Sequence, residues 1–391
     1  MSKSQIVTGG IADDAVTANK TSGVARPNVN PLIINGDMAV AQRGTSATTL
    51  TDGSVGFHTV DRFAYNDFGT PSSQHTMTQE SLTSGNAYIN GFANALKMDV
   101  TTAQSSLDAD DAVTILYKIE GQDLQLFKKG TANAEKFTLA FWVKGTKTGT
   151  HVVELFDRDN NRHVAGTYSI SSSDTWEHKV VNFPADTTGV FGNDNARSLD
   201  INWFLSAGTN FTSGALQTSW GAQSNTQRAA GQVNTVDNTS NNWHITGIQL
   251  EVGEYTSSTL PPFQHESFGD NLNRCLRYFQ APIYNKDSQG NNEEYAVFGT
   301  GVYTASGYFR CPRPLPVEMR VNPSLVSSSG TNYFFISSGA NDDINDLTLF
   351  PDSNYKTAYV YNNDEASGTA GQAGLLMGNN LSAYAWLDAE L

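Results

Sequence analysis

Residues 245–280, ITGIQLEVGEYTSSTLPPFQHESFGDNLNRCLRYFQ, hold a strand, a proline-interrupted tether and a helix in direct succession. Residues 245–252 predict the strand, anchored by Ile245, Ile248 and Leu250; Gly253 ends it, and Pro261-Pro262 prevents a regular continuation. Ser267 then reads as a helix N-cap, with Asp270 three residues on as the acidic member of a capping box. Leu272, Cys275, Leu276 and Phe279 recur at i, i+3, i+4, i+7, one apolar stripe on one face. So short a helix is not stable alone and must dock, and a neighbouring β-layer is the expected surface.

On both sides of this join the texture is β-rich. Toward the N-terminus, short apolar runs separated by Gly, Asn, Ser and Asp clusters predict strands at 32–35, 38–43, 61–65, 95–100, 112–119, 137–145, 151–157, 168–170, 177–182, 198–207 and 243–252. Residues 121–127 read as a single helical turn or a loop. Toward the C-terminus, strands are expected at 295–304, 308–310, 324–327, 333–337, 355–362 and 383–391. The fold class is therefore mainly β, with four parts: an extended N-terminal arm at 1–30, a jelly-roll β-sandwich at 31–260, a linker and helix at 261–281, and a smaller β-sandwich at 282–391. The arm carries Ile6, Ile11 and Val16 in a sparse rhythm that fits neither helix nor strand, which suits an attachment peptide ordered by a partner or by identical neighbouring chains.

At 391 residues and 38% hydrophobic content the chain can bury more than one core. Only 16% of residues are charged, against roughly 25% in an ordinary globular protein, so neutral polar groups dominate the surface. Such a surface suits extracellular particles and sugar recognition. A net charge of −15 argues against gripping a nucleic-acid backbone, which needs clustered Lys and Arg. Nor does any segment offer the continuous apolar run of a membrane-spanning helix, and 1–30 lacks the apolar core of a secretory signal. Synthesis in the cytoplasm without a signal peptide, and no membrane insertion, are the expectations. Cys275 and Cys311 are too few for a disulfide framework and read as buried thiols.

Within 137–145, FTLAFWVKG, Phe137, Leu139, Phe141 and Val143 alternate with Thr138, Ala140, Trp142 and Lys144. One face is core, and the other sets an aromatic beside a cation. Trp142 is then either a platform for the apolar face of a sugar ring or a residue covered by a loop or a partner subunit. Trp220, in the long polar segment after Phe211, is likewise an anchor or a contact residue. Asp157 and Asp159, at an oxygen-rich hairpin tip, are weak candidates for a structural calcium ion, although Asp and Asn are also ordinary turn residues. No phosphate loop, HExxH helix, CxxC pair or GxSxG elbow occurs, so no catalytic residue and no cofactor is assigned and the chain is expected not to be an enzyme. Glu251 and Glu254, a conceivable carboxylate pair, have an odd spacing that directs them to opposite faces of a continuous strand.

Several stretches, in this order, resemble a family of bacteriophage virion proteins: NPLIINGDMAVAQRGTS (30–46), VDRF (60–63), FTLAFWVKG (137–145), WHITGIQLEVG (243–253), PPFQHESFGDNLNRCLRYFQ (261–280), PLPVEMRVNPS (314–324) and SAYAWLDAEL (382–391). These are tail-fibre or appendage proteins, frequent in marine phages, with a jelly roll similar to carbohydrate-binding modules. The resemblance implies a homotrimer located in the virion at the tail, docked through its N-terminal arm to tail adaptor or nozzle proteins and recognising a host surface glycan or receptor. The other readings are a glycan-degrading tail spike and a capsid decoration or head fibre with a purely structural role.

Overall fold

The computed structural model describes residues 31–284 and 295–391. The expected arm, with Ile6, Ile11 and Val16, lies outside the described residues. The chain is mainly β. A six-stranded antiparallel sheet runs in the spatial order Ser46–Leu50, Gln74–Ser81, Asn94–Thr102, Asn242–Val252, Phe137–Gly145 and Glu177–Phe183. Facing it is a seven-stranded sheet in the order Gly221–Ala222, Arg162–Ile170, Gly149–Asp157, Arg197–Ala207, Ala112–Glu120, Phe63–Phe68 and Gly56–Phe57. Strand alternation sends Leu139, Phe141, Val143, Trp243 and Ile245 from the first sheet against Ile115, Tyr117, Leu155, Ile201 and Trp203 from the second. All are buried, each worth about 1.5–3 kcal/mol of apolar transfer.

A second core lies between a three-stranded sheet (Phe279–Ile283, Ala385–Asp388, Ser324–Ser327) and a seven-stranded one. The latter runs Asn341–Ile344, Phe334–Ser337, Ala373–Gly378, Val297–Ala305, Tyr308–Pro314, Thr357–Asn362 and Thr348–Leu349. Charged groups join the two sandwiches. Buried Glu120 accepts from Nε and Nη2 of Arg277 at 2.9 and 2.8 Å and from the Tyr278 hydroxyl at 2.6 Å. Arg62 pairs with Glu390, and Arg320 donates to the carbonyls of Ala389, Glu390 and Asn195. Cys275 and Cys311 are buried free thiols, and burial pushes the Cys311 thiol up to about 12. No helix among the described residues is long and apolar enough to cross a membrane.

Two expectations need revision. Residues 32–35 and 38–43 are turns and irregular backbone rather than strands. There the buried Asn35 side chain does the work of a ladder: its amide donates to the carbonyls of Val40 and Asp61 at 2.9 and 3.0 Å and accepts from the Val40 N–H at 2.9 Å. The helix, Phe268–Leu276, is capped by Ser267 as its sequence predicts. It docks on this turn segment instead of a β-layer, with Cys275 against Ile34, Val40 and Tyr278. The long polar segment after Phe211 is a cover over the seven-stranded sheet: Phe211 and Ala229 pack on Val152, Ala165 and Phe204, and Arg228 forks onto buried Glu154 at 2.8 and 2.7 Å. The strand Thr357–Asn362 buries Ala358 and Val360 on one face, while Tyr359 and Tyr361 on the other stay half-buried.

Candidate functional site

The outward face of the six-stranded sheet carries the best constellation. Antiparallel pairing sets residues of neighbouring strands side by side, about 4.8 Å apart. One rank reads His178, Trp142, Thr246, and the next reads Lys144, His244, Lys97, Thr78. A third adds Asn242, Asp99 and Thr76. Trp142 is half-buried: one side packs on a small cluster of Leu82, Ala87, Phe92, Ala95 and Trp176, and its ring lies 5.0 Å from that of His178, tilted by 38°.

The polar groups around this aromatic surface are fixed in place. His244 Nδ1 lies 2.8 Å from Glu80 Oε2, and its Nε2 is 3.1 Å from the Asn242 side chain. The hydrogen bond from His244 holds the Glu80 carboxyl below its usual range. Burial lowers the His244 imidazole, an effect that the bond to Glu80 opposes. Burial, then repulsion from Lys179, likewise lowers His178 and keeps it neutral beside Trp142. Lys97 pairs with Asp99 at 2.9 Å and Lys144 with Asp174 at 3.5 Å, and the Lys144 ammonium lies 5.5 Å from the Trp176 ring. Thr246 and His244 are buried beneath this face, so Trp142, His178, Lys144 and Lys97, all half-buried, are the groups that can stack a pyranose and exchange hydrogen bonds with its hydroxyls.

The other singled-out residues lie elsewhere. Trp220 is an anchor: it packs on the main core beside Phe137, and its indole N–H donates to the Pro184 carbonyl at 2.9 Å. Asp157 is fully buried against the Lys129 ammonium, which also reaches Asp186 at 3.0 Å. Asp159, exposed, accepts instead from the Gly192 N–H at 2.8 Å. The two carboxylates are thus committed to different protein partners, and no group of three or more His, Cys, Asp or Glu among the described residues is arranged for a metal ion. Glu254 is exposed and paired with Lys136 at 2.5 Å. His178, His244, Glu80 and Lys97 escape the sequence because only strand register brings them beside Trp142; the pairing of Trp142 with Lys144 along one strand is the part that the sequence carries.

No protein-family model matches the chain, and no curated protein matches it. Solved structures do. The enzymatically active domain of tailspike protein 4 of bacteriophage CBA120 is 13% identical over 57% of this chain and 21% of that one, with a TM-score of 0.29. A family 11 carbohydrate-binding module from Clostridium thermocellum, in complex with a β-1,3-1,4-mixed-linked tetrasaccharide, is 10% identical over 55% of this chain and 99% of its own, with a TM-score of 0.27. A further carbohydrate-binding module, in complex with β-1,4-galactotriose, is 7% identical over 57% and 99%, with a TM-score of 0.26. All three fall below 25% identity and below 0.5 in TM-score, so the function proposed next rests on this chain's own residues.

Proposed function

We propose that this chain is a non-catalytic glycan-recognition protein of a bacteriophage virion, a homotrimeric tail appendage that reads the host surface through the face around Trp142. The observation that carries the glycan reading is half-buried Trp142 with His178 across the strand pair and Lys144 and Lys97 in the next rank, an aromatic surface with hydrogen-bonding groups at strand spacing. The low charge content and the resemblance of the ordered stretches from 30 to 391 support the virion reading. Docking through 1–30 to tail adaptor or nozzle proteins, and the absence of a bound ion, belong to the same proposal.

A glycan panel tests it. Wild-type protein should retain host-surface polysaccharide, and Trp142→Ala should lose at least tenfold in affinity, about 1.4 kcal/mol. Because Trp142 also packs, His178→Ala serves as a second variant that spares the indole, and it should weaken binding several-fold. Release of reducing ends during incubation would replace this reading with that of a glycan-degrading spike. Labelled antibody on intact particles separates tail from head.

A further inference from the structure

We propose that the C-terminal sandwich carries a second, independent ligand site, centred on Arg310, for an acidic sugar of the uronate type. The chain holds 39 acidic and 24 basic residues, so carboxylates are plentiful. Its cations are accordingly engaged: Arg43, Arg62, Arg228 and Arg277 meet carboxylates, while Arg313 and Arg320 donate to backbone carbonyls. Among the described arginines, Arg310 alone makes no side-chain hydrogen bond and no ion pair, and its Nε is buried without a partner. A guanidinium taken partly out of water without an acceptor is costly, and a bound anion would remove that cost.

Its surroundings supply the rest of the site. The guanidinium carbon lies 4.5 Å from the Phe350 ring centroid and 4.7 Å from that of Tyr308. Tyr361, directly across the strand pair from Arg310, meets both rings edge-on, at 5.5 Å from Tyr308 and 5.7 Å from Phe350. Tyr359 continues the same face and, like Tyr308, Arg310 and Tyr361, is only half-buried. The collar holds the planar fork in one orientation, and a flanking tyrosine face gives a sugar ring a surface to stack on. A uronate matches both features, its carboxylate taking the fork bidentately while its ring covers Tyr361 or Tyr359. A neutral hexose would leave the guanidinium unpaired.

Titration calorimetry of full-length protein with oligogalacturonate and with neutral dextran of the same length tests the assignment. Expected are oligogalacturonate binding that weakens as salt rises, falls at least tenfold in Arg310→Gln and is unchanged in Trp142→Ala, and no effect of Arg310→Gln on any binding of dextran. Arg310→Lys, which keeps the charge without the planar fork, should lose several-fold and carries the test if Arg310→Gln does not fold. Four results would overturn the proposal. They are wild-type protein that ignores oligogalacturonate, dextran binding that Arg310→Gln weakens as much, loss on Trp142→Ala rather than on the Arg310 variants, and an oligomer in sedimentation that Arg310→Gln dissociates, which would make this face a contact between chains. Because the two sites share no residue, failure here leaves the Trp142 reading standing, and failure of Trp142→Ala to weaken neutral-glycan binding leaves this one.

Discussion

Two histidines make the protein's stability depend on pH in a direction that single residues dictate. Burial lowers both His75 and His151 from 6.5 to about 4. Both are fully shielded from solvent. The unfolded chain takes up a proton on each as pH falls through 6.5, whereas the folded chain keeps both rings neutral until about 4. The unfolded state therefore binds more protons in that window, and stability falls with pH by about 1.4 kcal/mol per unit for each ring. Below this range Glu154 adds to the loss. Burial raises its carboxyl, but Arg228 outweighs that and brings it down to about 2, so its stabilising charge disappears as pH falls toward that value. Asp67, which burial and then Asp52 raise to about 6, titrates in the opposite sense over part of this window and offsets part of the slope. Urea unfolding at steps from pH 7 to pH 4 is therefore compared between wild type and His151→Gln, and equal slopes in the two would contradict the burial of this ring. Asn35 teaches the same lesson at this scale. Neighbouring apolar residues make 32–43 look like strands, yet one buried amide satisfies the backbone groups that a sheet would otherwise have to satisfy.

At the scale of the element, the central strand Asn242–Val252 contains an irregularity that its sequence only hints at. Its pairing with Phe137–Gly145 shifts register between Thr246 and Gln249, around Gly247, whose φ is +62°. This bulge turns the Ile248 N–H to the Gly36 carbonyl at 2.9 Å and brings the turn segment 31–43 onto the sheet. A Cβ at Gly247 would lie 2.6 Å from the Phe92 ring, so Gly247→Ala combines left-handed strain with a clash and should cost about 2–4 kcal/mol. A midpoint of thermal unfolding within a degree or so of wild type would refute this. Much of this scale was legible in advance. Alternating FTLAFWVKG gave its strand and inward face, and Ser267 with Asp270 gave the helix start, because both signals are local. Register, the bulge and the docking partner of the helix were not legible, since each depends on residues far apart in sequence. The edge strand Ser46–Leu50 and its neighbour Gln74–Ser81 were not legible for a related reason: they are rich in Thr, Ser and Gln and carry little hydrophobic alternation. The candidate site follows the same division, with Trp142 and Lys144 visible on one strand and His178, His244 and Lys97 assembled by pairing alone.

Across the whole molecule, the two sandwiches are fastened by charges that neither could bury alone. Arg62 and Glu390 are almost fully buried, and Glu390 also pairs with Arg43 at 3.4 Å. Removing one member strands a buried charge, so Glu390→Gln should destabilise by roughly 3–5 kcal/mol, while Arg62→Met with Glu390→Leu should recover much of that loss. Chemical denaturation of the single and double variants measures both, and a single variant as stable as wild type would contradict the clasp. The Trp142 face lies on one of the joined sandwiches and the Arg310 collar on the other, as separate surfaces. The most direct test of the central claim is the affinity of full-length protein for purified host-surface polysaccharide, measured by titration calorimetry on wild type and on folded Trp142→Ala. A loss of at least tenfold is predicted, and equal affinity in the two proteins would contradict the assignment of glycan recognition to the Trp142 face.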